Sequence, residues 1–230
     1  MCWRAGEIVR ERCLAEGADA GECETRAADT RQRAVDAGTG MEFGVVAGAG
    51  SYVQARMPVV SADVRVRAAY ASRRVAQLPS TSADWSTAFS AVLGELNDLH
   101  ILEQASDDTY YVGFMPKRTF GLAGIGYVPG NASLTFDVPT SPRAVLETLT
   151  HELGHNFSLP HAPCGGPARP DPAYPYANAQ LGAPGRYIWG YNAATQAFTD
   201  PRRTDIHDIM SYCAGDTFSD YNYRKMQVFQ

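Results

Sequence analysis

The segment His151-Glu152-Leu153-Gly154-His155 sets two imidazoles four residues apart, with a carboxylate beside the first. On a helix, residues at i and i+4 project from the same face, one turn apart. Two neutral imidazoles held that way can bind one zinc ion, and Glu152 stands where it can act as a base toward a water at the metal. A third histidine, His161, follows His155 by six residues. Histidine is a scarce residue type, so the added one makes a chance histidine-rich helix a much poorer account of the pattern.

This chemistry needs a helix to carry it, and the local sequence provides one. Ser141-Pro142 reads as a helix N-cap followed by proline in the first helical position, and it opens RAVLETLTHELGHNF. Upstream, TYYVGFM, GLAGIGYV and ASLTFDV read as strands. So do FGVVAG, SYVQARM and DVRVRAAY, the last with Val64, Val66, Ala68 and Tyr70 alternating with polar neighbours. Between these groups, LPSTSADWSTAFSAVLGELNDLHILEQ opens on cap candidates. It repeats Trp85, Phe89, Val92, Leu96 and Leu99 at helical spacing, which predicts an amphipathic helix. His100, near its end, reads as a surface or satisfied core histidine. From Gly165 to Gly190 there are five glycines and five prolines, interleaved with Tyr174, Tyr176, Tyr187 and Trp189, the texture of a long ordered loop. A last helix is predicted over SDYNYRKMQVFQ, with Ser219 as its cap.

The 230 residues carry 20 Lys plus Arg against 25 Asp plus Glu, a formal charge of -5 that argues against a nucleic-acid face or a polybasic membrane patch. No apolar run is long enough to span a bilayer. The opening MCWRAGEIVRERC is charged where an export signal needs an apolar stretch, so no signal is read in this chain. Five cysteines, Cys2, Cys13, Cys23, Cys164 and Cys213, form no close pair, so disulfides are favoured over a cysteine-type zinc site, and they imply an oxidising compartment. Five is odd, so at least one is unpaired within the chain. Residues 4 to 36, rich in charge and alanine, read as helical turns broken at Gly17 and Gly21. They suit a peripheral segment tied by Cys13–Cys23, or a pro-segment whose Arg12-Cys13 would cap a metal.

HELGHNFSLPH resembles the metzincin zinc motif HExxHxxGxxH, and DIMSYC, from Asp208 to Cys213, resembles the Met-turn of that clan. The resemblance implies a zinc site of His151, His155 and His161 with an open position for water, Glu152 as the catalytic base and Met210 as the turn methionine. Tyr212 lies two residues after Met210, where related metzincins place a transition-state-stabilising tyrosine; a buried packing tyrosine is the other reading. His207 is a weaker candidate for an extra ligand. Metzincins bind substrate along the edge strand before the zinc helix, and LAGIGYVPG or the following NASLTFD occupies the matching region. Gly124 and Gly126 would there leave room for a peptide backbone, unless they only form a glycine-rich turn. Cys164 and Cys213 flank segments that such a site brings together, which favours a disulfide over two separate buried thiols. One departure is plain: the motif glycine, which turns the chain at positive φ, is Ser158 here.

The proline- and tyrosine-rich loop, IWGYN, DIMSYC and SDYNYRKM together look like the secreted bacterial StcE-like group, which acts on O-glycosylated, mucin-type proteins. The expected fold is α/β (α+β): a twisted mixed sheet with a backing helix and the zinc helix, above a loop-rich C-terminal subdomain. The expected division is a helical segment at 1–40, an upper catalytic subdomain at 41–161 and a lower subdomain at 162–230. The expected function is a secreted or cell-surface zinc endopeptidase with one catalytic Zn2+, acting on a protein or glycoprotein substrate, with no nucleic-acid partner or membrane insertion, as a monomer. The rivals are a catalytically silent binding or adhesion module of the same fold and an intracellular zinc hydrolase with reduced cysteines. Intact Glu152 speaks against the first, because binding alone requires no base there.

Overall fold

Thr81 begins the first long helix by accepting a hydrogen bond from the Asp84 N–H, while the Asp84 carboxylate accepts from the Thr81 N–H. This reciprocal capping satisfies two backbone donors that a helix start otherwise leaves unpaired. A computed structural model describes residues 48–65, 72–75, 77, 79–116, 121–137, 141–192 and 195–230. The expected N-terminal segment with Cys2, Cys13 and Cys23 lies outside the described residues, as do most of FGVVAG and the later part of DVRVRAAY.

The described elements run α1 (Ala49–Gln54), α2 (Ser82–Leu102), β1 (Tyr111–Pro116), β2 (Gly124–Gly126), β3 (Ala132–Asp137) and α3 (Pro142–Asn156). They continue with a 3-10 turn (Ala177–Ala179), β4 (Gly190–Asn192), β5 (Ala197–Thr199) and α4 (Asp220–Phe229). β1, β3 and β2 form a mixed sheet in that order, with β1 parallel and β2 antiparallel to the central β3. The fold is thus the mixed α/β arrangement the sequence predicts.

Alternation along the strands sends successive side chains to opposite faces. Met115, Leu134 and Phe136 meet Trp85, Phe89, Val92 and Leu96 of α2, with the Phe89 and Phe136 rings stacked at 4.6 Å. Each large apolar side chain buried there contributes about 1.5–3 kcal/mol. On the opposite face Val112 and Phe114 pack toward Leu149, Leu153 and Phe157, on and just beyond α3. The sheet therefore sits between a backing helix and the helix that carries His151. Ser141 takes the N-cap position of α3 with Pro142 following, though the serine side chain makes no cap hydrogen bond.

The strand expected at SYVQARM is a correction: Ala49–Gln54 is helical. Tyr52 and Val53 favour strands locally, but Ala49, Val53 and Met57 recur every four residues and all pack on the core beside α3. Tertiary burial of that stripe overrides the propensity. Residues 61–65, at the start of the expected DVRVRAAY strand, form no regular element.

The region after His161 is ordered by tyrosines. Tyr174 donates its hydroxyl to the Gln180 carbonyl at 2.9 Å, and Tyr176 bonds Asp220 at the start of α4. Lys225 and Tyr221 of α4 reach Asp171 at 2.8 and 3.0 Å, locking the loop to the helix. Ser219 caps α4 as expected, accepting from the Asn222 N–H. Outside this core, the β4–β5 hairpin exposes Trp189, Tyr191 and Phe198.

Candidate active site

His151 and His155 lie buried one turn apart on α3, with ring centroids 4.9 Å apart. The helix then ends on Ser158 at φ 67°, a left-handed residue. Its N–H donates to the His155 carbonyl at 2.9 Å, and the Leu159 N–H donates to the Gly154 carbonyl at 3.0 Å. This bond pair is the Schellman closure of a helix C-terminus. The turn forms with serine in place of glycine, at a cost of about 1 kcal/mol. It sends the chain back, so that His161 Nε2 arrives 3.2 Å from His155 Nε2. One ring nitrogen from each of His151, His155 and His161 lies within 4.8 Å of the others.

The outward nitrogens are all engaged. Nδ1 of His151 donates to the Ile209 carbonyl and that of His155 to the Leu159 carbonyl, both at 2.7 Å, while His161 Nδ1 donates to the Ala168 carbonyl at 3.2 Å. A carbonyl can only accept, so each Nδ1 carries the hydrogen and each Nε2 lone pair is left for the centre of the cluster. Burial and the neighbouring imidazoles push His151 down to about 3, burial pushes His155 down to about 4, and burial lowers His161 as well. Three neutral, pre-aimed imidazoles are a donor set that fits a divalent transition metal such as zinc.

Glu152 is buried, and desolvation raises its pKa to about 8. Among the described residues none donates a hydrogen bond to its carboxylate. The edge strand β2 passes directly beside it. A Cβ built on Gly124 would lie 2.5 Å from Glu152 Oε1, and one on Gly126 would lie 2.8 Å from the Glu152 carbonyl oxygen. Both glycines thus turn their empty side toward the helix.

The chain around Met210 closes the site from below. Met210 is fully buried, with Sδ against Gly154 of α3. Antiparallel-like bonds join the segment after His161 to this turn: the Ala162 N–H donates to the Met210 carbonyl and the Tyr212 N–H to the Cys164 carbonyl, both at 2.9 Å. A Cys164–Cys213 disulfide links the same two segments. Tyr212 is brought to the cluster, its ring centroid 4.9 Å from that of His161, and burial and the nearby Glu152 raise its hydroxyl pKa. His207 is not part of the cluster; its Nδ1 donates to the Asn178 carbonyl at 2.8 Å. His100 is a satisfied core histidine, with Nε2 3.2 Å from the Ser106 carbonyl.

Residues 118–229 match the family model of Peptidase M66. The match covers His151, Glu152, His155 and His161, the turn at Met210 and α4, and it supports a metalloprotease family with a protein substrate. Among curated proteins none matches the chain. Among the described residues no helix is long and apolar enough to cross a membrane.

Two residues of the site escape the sequence reading. Asp208, fully buried, accepts from the N–H of Met210 at 2.8 Å and of Ser219 at 2.7 Å. The first bond is an Asx turn, and an aspartate two residues before Met210 is the signal that could have found it. Asn156, also fully buried, donates from Nδ2 to the carbonyls of Tyr127 and Ala132 at 3.1 and 3.0 Å. It ties the end of α3 to the β2–β3 connection, and nothing local in the sequence points to that.

Proposed function

We propose that this chain is a zinc-dependent endopeptidase of metzincin type. The observation that supports it is the convergence of three Nε2 lone pairs beside a buried carboxyl group carried by the same helix. His151, His155 and His161 would hold one Zn2+. The chemistry supplied by zinc at such ligands is Lewis-acid polarisation, which lowers the pKa of a coordinated water toward about 7.

The chain's own residues do the rest. Glu152 accepts a proton from the attacking water as its oxygen adds to the scissile carbonyl carbon, and delivers that proton to the amine nitrogen as the C–N bond breaks. Tyr212 donates a hydrogen bond to the carbonyl oxygen as negative charge builds there. An extended peptide adds to the edge of β2 that is unpaired among the described residues, at Gly124 and Gly126. Residues 41–161 act as the upper subdomain and 162–230 as the lower, with the cleft between. The substrate class proposed is O-glycosylated, mucin-type protein outside the cell; the exposed rings of Trp189, Tyr191 and Phe198 favour a surface able to stack on sugars.

The test compares cleavage of casein and of a mucin-type glycoprotein by wild type, by Glu152→Gln and by chelated protein. Wild type cuts the glycoprotein faster, chelation abolishes cleavage, and Glu152→Gln is about 100- to 10,000-fold slower while keeping one metal per chain. Cleavage that survives chelation, or an unimpaired Glu152→Gln, would overturn the proposal. Casein cut in preference to the glycoprotein removes the mucin assignment alone.

A further inference from the structure

We propose that Gly124 is a positioning residue for Glu152: the bare backbone of β2 holds the carboxylate in place, and one added methyl group at this position disables the base while leaving the fold and the histidine cluster intact. The inference rests on the proteolytic reading and adds a residue that acts through another.

The argument begins from how little else holds Glu152. No hydrogen bond from the described residues reaches its carboxylate, so among those residues packing sets its rotamer. The packing partner is β2. Pairing of Gly124 with Thr135 and of Gly126 with Ser133 in the antiparallel ladder turns both glycines to the sheet face covered by α3. A Cβ at Gly124 would meet three atoms of the Glu152 side chain: Oε1 at 2.5 Å, Cγ at 2.7 Å and Cδ at 2.8 Å. Contacts that short do not occur, so something must move, and the flexible carboxylate arm moves at least cost. Gly126 differs in kind. Its Cβ would meet the Glu152 carbonyl oxygen at 2.8 Å, with Glu152 Oε2 and His155 Cβ both at 3.4 Å; the shortest contact is to backbone, so α3 itself would have to withdraw from the sheet. The two glycines, two residues apart on one strand, therefore govern different things: position 124 the aim of the base, position 126 the seating of the helix that carries two of the histidines.

This separates positioning from a role in giving substrate room. A glycine needed only for the approach of a peptide raises KM when replaced. A glycine that aims a base lowers kcat, and a misplacement of about 1 Å costs about 100-fold. The experiment measures cleavage of the mucin-type glycoprotein and of casein over a range of concentrations, bound zinc and melting temperature for wild type, Gly124→Ala, Gly126→Ala and Glu152→Gln. It measures melting temperature also for Glu152→Ala with and without Gly124→Ala.

Gly124→Ala is expected to lower kcat about 100-fold, to leave KM within about threefold, and to keep one zinc per chain. Gly126→Ala loses zinc affinity and melting temperature together. Any drop in melting temperature caused by Gly124→Ala vanishes in the Glu152→Ala background, because the three obstructing atoms are gone. A Gly124→Ala protein with wild-type kcat beside an inactive Glu152→Gln overturns the inference and leaves the proteolytic reading standing. So does a melting shift that is the same in both backgrounds. An active Glu152→Gln, or a wild type that cuts nothing when zinc is bound, overturns the proteolytic reading and the role of Gly124 with it.

Discussion

Ser158 sits at φ 67° in the turn that returns His161 to the cluster, a conformation in which a side chain with a Cβ is strained by about 1 kcal/mol or more. Ser158→Gly relieves that strain but frees the unfolded chain, so its melting temperature should equal or slightly exceed wild type; Ser158→Val, branched at Cβ, should lose about 1–2 kcal/mol by denaturant unfolding. Glu152 yields a prediction of a different kind. Burial lifts its pKa from the ordinary 4.5 to about 8, so the metal-free folded chain keeps a proton that the unfolded chain releases between those values. Stability then falls as pH rises through that window. With chelator present, Glu152→Gln should be more stable than wild type by about 4 kcal/mol at pH 8 and equal to it near pH 4, a difference readable from unfolding at the two pH values. His151, Glu152 and His155 are legible in the sequence because helical spacing puts them together, and His161 because a third histidine follows at the motif's spacing; its arrival at the cluster depends on the turn at Ser158. The carbonyls that orient the histidines are not legible, since Ile209 lies 58 residues from His151.

The turn at Met210 illustrates the next scale. Asp208 holds it by accepting from backbone N–H groups on both sides, and also meets the Tyr174 hydroxyl at 3.3 Å. The turn supplies the carbonyl that orients His151 and the backbone that carries Tyr212. Asp208→Ala leaves these buried donors unpaired, each worth about 1–3 kcal/mol, and should lower stability by several kcal/mol in denaturant titration and weaken zinc binding in parallel. Helices α2, α3 and α4 were legible as elements because their caps and apolar stripes are local. α1 is not legible, because six residues are too few for periodicity to compete with the strand preference of Tyr52 and Val53. The β4–β5 hairpin, with its three-residue strands, carries no pattern long enough to be read.

For the molecule as a whole, the site is a junction between two stretches of chain. α3 and β2 supply two histidines, Glu152 and the strand edge, while the segments from His161 onward and around Met210 supply the third histidine, Tyr212 and the floor. The Cys164–Cys213 disulfide spans a separation of 49 residues between the latter two. Closing a loop of that length restricts the unfolded chain by up to about 4 kcal/mol. The double variant Cys164→Ser with Cys213→Ser should therefore lose about 2–4 kcal/mol of unfolding free energy, and zinc should restore part of it by binding only the folded chain. Unchanged stability in the double variant would show that packing alone holds the junction.

By itself the sequence determined the mixed α/β class, the helix that presents His151, Glu152 and His155, the third histidine, the capping residues and the segment carrying Met210 and Tyr212. Each of these rests on spacings of a few residues along the chain, where helix geometry and residue chemistry act directly. Only the tertiary structure decided that Gly124 and Gly126 abut Glu152, that Asp208 braces the turn, that Asn156 ties α3 to the β2–β3 connection, and that Tyr174 and Tyr176 pack the loop while Trp189, Tyr191 and Phe198 face solvent. Those arrangements depend on close contact between segments remote in sequence, and no local pattern encodes that a Cβ at Gly124 would fall 2.5–2.8 Å from the Glu152 side chain.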